Sequence, residues 1–357
     1  MKTVLAAATG RRALGALGIS MLGAAPTESG EHLIAAEWRA FTQRFLTPEG
    51  RIVDTGNGGI SHSEGQGWGL MFAAAFNDRA AFDRILSWTT TVLKRSGDSL
   101  HAWRFRPGAT EPVDDPNNAT DGDLYIAWGL LMAYERWRHT PHRMRATAIA
   151  RDMLRLTLRR PQGKAVLLPG AVGFERQEGL VLNPSYVALP AYAAMHRAMP
   201  GDGWLTLMRD GSDLLRRGRF GAWGLSPDWL LVPRAAGAPF VMADGWPRRF
   251  SFDAVRVPLM LAWAGETMHP ALRGPHAFWT DQRWSQPPAW VDLETGVTAE
   301  FAASPGMRAI AAFAASRIAG AAAPVRLPQV ADSADYYSAA LVMLVRLACA
   351  ATGTRIA

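Results

Sequence analysis

Ile60-Ser61-His62-Ser63-Glu64-Gly65-Gln66-Gly67-Trp68-Gly69 stands directly before an apolar run, Leu70-Met71-Phe72-Ala73 through Phe76. It sets one carboxylate, Glu64, among small residues and beside Trp68. Ser, His, Glu and Gln all hydrogen-bond hydroxyls, and glycines allow close approach to the backbone. The stretch therefore reads as a sugar-binding lip at the mouth of a helix. It reads equally as a capping box, in which Ser61 caps the helix and Glu64 reaches back to a free amide.

Working outward, apolar residues recur at i, i+3, i+4 spacing and strand signals are few. The periodicity predicts helices over 32–45, 66–76, 79–94, 121–138, 141–158, 184–198, 204–217, 252–265, 270–283, 305–318 and 335–352. Short links alternate with long Gly/Pro/Trp-rich loops, notably 96–120, 161–183 and 220–251. No strict repeat or low-complexity linker interrupts the pattern. A toroid of helical hairpins with loops enlarged on one side follows, as a single domain.

Helix starts are well marked. Asn183-Pro184 reads as an N-cap followed by a first-turn proline, which places Tyr186 at a helix mouth. Thr120 is expected to cap the helix opening at Asp121, and Ser251 the one carrying Asp253. Glu64, Asp121 and Asp253 would then all occupy first turns. Taken singly, each could simply complement a helix dipole, an effect of about 0.3–1 kcal/mol.

Composition narrows the function. The chain has 357 residues, 49% of them hydrophobic, and 14 Trp, which suits a large core or a groove with stacking platforms. The net charge of +7 is scattered arginine with no long basic run, so no nucleic-acid footprint is present. No His/Cys/carboxylate cluster has metal spacing and no phosphate-binding loop appears, so neither metal nor cofactor is expected. Cys349 is the only cysteine, which excludes an intramolecular disulfide, and it lies in an apolar helical run. Residues 1–25 read as an export signal: Lys2, Arg11 and Arg12 precede an apolar stretch ending at Gly23-Ala24-Ala25. The expectation is one catalytic unit over 26–357, periplasmic or secreted, without a stable membrane span once the signal is removed.

Three further motifs change the weight of the carboxylates. They are Ala119-Thr120-Asp121-Gly122-Asp123 leading through Ile126-Ala127 and Ala133 to Trp137, then Asn183-Pro184-Ser185-Tyr186, then Phe250-Ser251-Phe252-Asp253-Ala254-Val255-Arg256-Val257-Pro258. With the opening stretch, they make the sequence resemble glycoside hydrolase family 8, and within it the endoglucanases of bacterial cellulose synthesis. The likeness runs from about Phe41 to Leu347. It implies an (α/α)6 barrel, in agreement with the helix pattern, and an inverting endo-β-1,4-glucanase acting on cellulose-type chains. Xylan or mixed-linkage glucan is the alternative substrate, and a non-catalytic glucan-binding scaffold the alternative function. The cellulose synthase complex is the candidate protein partner.

By this resemblance Glu64 is the general acid, Asp253 the general base, and Asp121 the carboxylate that holds the central sugar and tunes the acid. Inversion needs the acid and base about 6.5–9.5 Å apart, with a water between base and sugar. Asp121, ionised nearby, is expected to raise the pKa of Glu64. Arg256, three residues after Asp253, is expected to orient the base. Trp103 and Tyr186 match cleft positions, and Tyr336 or its neighbour Tyr337 is expected to line the cleft. Gln66 is expected to bind substrate. Trp68, Trp223, Trp229 and Trp246 are weaker candidates, whereas Trp88, Trp128, Trp137 and Trp263 read as core. His62 and His101 read as hydrogen-bonding scaffold. Phe252 stands where many relatives carry Tyr, and Gly129 where Ser or Ala is usual.

Overall fold

His62 opens the first helix of the barrel by accepting the Gly65 N–H on its ring Nδ1 at 3.0 Å. The cap is therefore the imidazole; Ser61 instead donates its hydroxyl to the Ile52 carbonyl, so the capping box does not form. In the computed structural model, which describes residues 28–320 and 324–357, this helix is the second of eleven α-helices. The segment read as an export signal lies outside the described residues. The helices are α1 (Glu28–Phe45), α2 (Ser63–Ala75), α3 (Arg79–Val92), α4 (Thr120–Trp137), α5 (Thr140–Thr157), α6 (Leu189–Ala198), α7 (Trp204–Arg217), α8 (Arg256–Trp263), α9 (Pro270–Trp279), α10 (Pro305–Ala319) and α11 (Tyr336–Thr352).

The architecture is an (α/α)6 barrel. Helices α2, α4, α6, α8, α10 and α11 form an inner ring in which each packs on the next and α11 returns to α2. Helices α2, α4 and α8 are buried almost all round, as helices without a polar face must be. Helices α3, α5 and α7 bury only one face and lie outside, α7 packed on α6. After α10 the described chain returns through a 3-10 turn, Val330–Asp332, packed on α1 and α11. On α10, which packs on α8, α9 and α11, Ala311, Ala312, Ala315 and Ser316 are partly exposed.

Neighbouring inner helices run parallel, so their N-termini gather at one end. Glycines set the α2–α4 contact: a Cβ on Gly122 would stand 2.0 Å from Ser63 Oγ, one on Gly67 2.7 Å from the Ile126 nitrogen, and one on Gly129 2.8 Å from Leu70 Cβ. Gly129 thus trades helix propensity for backbone approach. At the far side of the ring, Gly306 N donates to Ser338 Oγ, both near the starts of α10 and α11.

Loops at the N-terminal end fold into short antiparallel pieces. Ser61–His62 pairs with Arg104–Phe105, which carries Trp103 to the mouth of α2. Gly179–Leu182, Leu230–Pro233 and Val241–Met242 form a three-stranded sheet. Arg249–Phe250 pairs with Val291–Asp292 and anchors the turn before α8. Among the described residues no helix is long and apolar enough to cross a membrane.

Candidate active site

Arg256 opens α8 and points its guanidinium into the centre of the ring, where the side chain is only 4% exposed. Nη1 stands 3.0 Å from Glu64 Oε1. Nη2 stands 2.9 Å from Asp253 Oδ1 and 3.6 Å from Asp121 Oδ2. The same Nη2 donates to Ser185 Oγ at 2.7 Å, and that hydroxyl donates on to Asn183 Oδ1. Three carboxylates far apart in the sequence thus meet on one cation, as the motifs require. Burial alone would weaken its charge, but Glu64, Tyr337, Asp253 and Asp121 outweigh it and hold its pKa well above normal.

Glu64 and Asp121 sit in the first turns of α2 and α4, brought together by the glycine contact. Their carboxyls act on each other, and both hold a proton more tightly than an exposed carboxylate does. Burial is the leading cause that raises Glu64; Asp253 and Asp54 add to it, while Arg256 and the hydrogen bond with Asp121 act against it. Asp121 is raised further, by burial first and then by the charge of Glu64. The expected cause is therefore corrected: dehydration, and not an ionised Asp121, is what favours the proton on the acid. Gly122 N donates to Asp121 Oδ1 at 2.8 Å and fixes that carboxyl.

Asp253 lies ahead of α8, in the turn 251–255, and not within a first helical turn. Ser251 does not cap that helix; its hydroxyl is given to Asp228. Nor does Thr120 cap α4: it is already helical and donates to the Leu168 carbonyl. The Asn183 cap holds in a shorter form, since its side chain accepts the Ser185 N–H and Pro184–Tyr186 make a 3-10 turn ahead of α6. That turn places the Tyr186 phenol in the field of Asp121 and Asp253, which add to burial in raising its pKa well above normal.

Two expected substrate contacts are placed elsewhere. Gln66 is fully buried, accepts the Ile52 N–H at 2.6 Å, and donates to Gly50 O and Thr89 Oγ1. It ties the loop 50–52 to α2 and α3 and has no path to a ligand. Tyr336 is also fully buried, packed on Phe45, His62 and Trp68, and it occupies the space a Gly65 side chain would need. Its neighbour Tyr337 reaches the site instead, accepting from Arg256 Nη1 at 3.3 Å and donating to the Phe252 carbonyl.

Trp103 is half-buried beside the acid, since its carbonyl accepts the Ser63 N–H, while Asp115 holds its indole N–H at 2.8 Å. Arg104 covers one face of that ring, with 4.3 Å to its centroid. Trp68 is core, and Trp128 packs on Trp263 inside the ring. Trp229 stacks against Phe174 and Trp246. His101 and Asp123 form a buried pair at 2.9 Å that supports the loop before Trp103, and Asp54 pairs with the far nitrogen of His62. Phe252 is 48% exposed next to Asp253. Among the described residues no group of His, Cys, Asp and Glu could hold a metal.

The floor of the ring thus offers two buried carboxyls with raised proton affinity and, across one arginine, a carboxylate whose side chain is 32% exposed. The profile of the glycosyl hydrolases family 8 matches residues 15–351. The chain belongs to this family and is a glycoside hydrolase. A probable endoglucanase from Novacetimonas hansenii is 43% identical over 315 residues, 88% of this chain and 90% of that one. An endoglucanase from Cellulomonas uda is 39% identical over 76% of this chain and 75% of its own length. The structure of an endo-β-1,4-glucanase from Acetobacter xylinum superposes with a TM-score of 0.83 at 42% identity, covering 89% of this chain and 98% of that one.

Proposed function

We propose that this family 8 enzyme is an endo-β-1,4-glucanase that cleaves cellulose-type chains with inversion. One observation carries the reading: Arg256 holds Glu64 and Asp253 on different nitrogens, one acid dehydrated and the other open to water. Two carboxyls in contrasting environments are what acid–base division of labour requires. Glu64 gives its proton to the leaving glycosidic oxygen, Asp253 takes one from the attacking water, and the C–O bond at the anomeric carbon is exchanged with inverted configuration. Asp121 holds the sugar at the bond being broken. Trp103 and Tyr186 contribute aromatic surface for sugar rings, whose C–H faces pack on such planes.

The endoglucanase names of relatives at about this identity and coverage support the substrate class. Residues 26–357 act as one catalytic unit behind a leader, in the periplasm or outside the cell, on nascent glucan delivered by a cellulose synthase complex. The test is release of reducing ends from carboxymethylcellulose, with viscosity falling early, set against xylan and mixed-linkage glucan. Faster cleavage of xylan would replace the substrate, and retention on cellulose without new ends would replace catalysis by binding.

A further inference from the structure

Asp228 is a buried carboxylate that the acid–base scheme leaves unused. It lies in the Ser226-Pro227-Asp228 segment between α7 and the three-stranded sheet, and among the described residues no cation pairs with it. Dehydrating a carboxylate without a counter-charge is costly, so it must be met by hydrogen bonds. Every side-chain hydrogen bond it receives comes from one short stretch. Oδ1 accepts the Ala254 N–H at 2.8 Å and the Ser251 N–H at 3.2 Å, and Oδ2 accepts the Ser251 hydroxyl. Those donors bracket Phe252 and Asp253. The Asp228 N–H in turn donates to the Arg249 carbonyl at 2.8 Å, which fastens the strand leading into the same turn.

We propose that Asp228 is the positioning residue of the catalytic base: it clamps the turn 251–254 from behind, so that Asp253 is presented to the attacking water at a fixed height. The inference rests on the assignment of Asp253 as base. Arg256 holds the Asp253 carboxylate from the α8 side, and Asp228 holds the backbone beneath it, so the base is fixed at both ends. The choice of a carboxylate fits this role, because two oxygens can take three donors from adjacent residues, whereas a hydroxyl cannot. Burial, reinforced by the negative charge of Asp253, raises Asp228 to about 7, in keeping with a group held against that charge by the turn.

The test compares Asp228→Ala, Asp228→Asn, Ser251→Ala and Asp253→Asn on a soluble cello-oligosaccharide. Misplacement of a reacting group by about 1 Å costs on the order of 100-fold. Asp228→Ala is therefore expected to lower kcat about 100-fold with KM within about threefold. Asp228→Asn keeps an acceptor for both amides and is expected to recover most of that loss; Ser251→Ala falls between them. Equal loss in kcat for Asn and Ala, or a change confined to KM, overturns positioning. Should Asp228→Ala not fold, Ser251→Ala carries the test: a partial loss of kcat at unchanged KM supports the clamp, and wild-type kcat overturns it. Wild-type rates in Asp253→Asn would overturn the base assignment itself, a result separate from any at Asp228.

Discussion

Arg256 Nη1 lies 3.0 Å from Glu64 Oε1, so Glu64 is paired with a cation that also holds Asp253. This is a fork geometry that a point charge cannot reproduce, because lysine has one nitrogen where arginine presents separate donors. Arg256→Lys is expected to lower kcat at least about 100-fold, the equivalent of losing about 3 kcal/mol from a buried pair. Steady-state kinetics on a soluble glucan checks this; rates within about fivefold of wild type would mean that the arginine serves only to neutralise charge.

Removing either carboxylate gives a sharper result. Glu64→Gln and Asp253→Asn are each expected to lose about 100- to 10,000-fold in kcat while still binding cello-oligosaccharide in calorimetry. The stereochemistry is checked independently by proton NMR, where the first product from a β linkage should be the α anomer. An initial β anomer would require a nucleophile and a different placement of the carboxylates.

Gln66 predicts a separation of stability from activity. Gln66→Leu leaves the Ile52 N–H and the Gly50 carbonyl unmet in the interior, at about 1–3 kcal/mol for each group. A lower unfolding midpoint in urea is expected, with KM for the folded fraction unchanged. A raised KM with unaltered stability would return Gln66 to the list of sugar contacts.

The titration of Asp228 gives a prediction with a definite sign. Its folded pKa of about 7 lies above the ordinary carboxylate value, so the folded protein keeps a proton that the unfolded chain has released. Stability from this group is full below about pH 4 and is lost as pH rises toward 7. Asp253 is the charge that faces it. Relative to wild type, Asp228→Asn should therefore gain about 2–4 kcal/mol between pH 4 and pH 7.5 in urea unfolding. A pH-independent difference would show that the carboxyl ionises like an exposed one.

How much of this was legible in the sequence follows from how local each signal is. The eleven helices announce themselves through periodicity and first-turn prolines, and Trp204–Arg217 matches its predicted bounds. The meeting of Glu64, Asp121, Asp253 and Arg256 was reachable through motifs, each a short contiguous run. Gln66 was misread because neighbours in sequence diverge in space: two positions along a helix is a rotation of about 200°, so it faces away from Glu64. The choice between Tyr336 and Tyr337 is open in the sequence for a related reason. Adjacent residues at a helix start sit about 100° apart, and only the packing of α11 decides which one turns inward. Asp228 gave no signal, since a Ser-Pro-Asp segment is ordinary and its partners lie over twenty residues away.

The contact between α2 and α4 has a consequence for how the family can diverge. Where Gly122 meets Ser63, the distance between two acids is set by main-chain thickness, like a machined spacer between plates. The gap between Glu64 and Asp121 stays as it is, so descendants can change what they eat without having to reinvent how they cut.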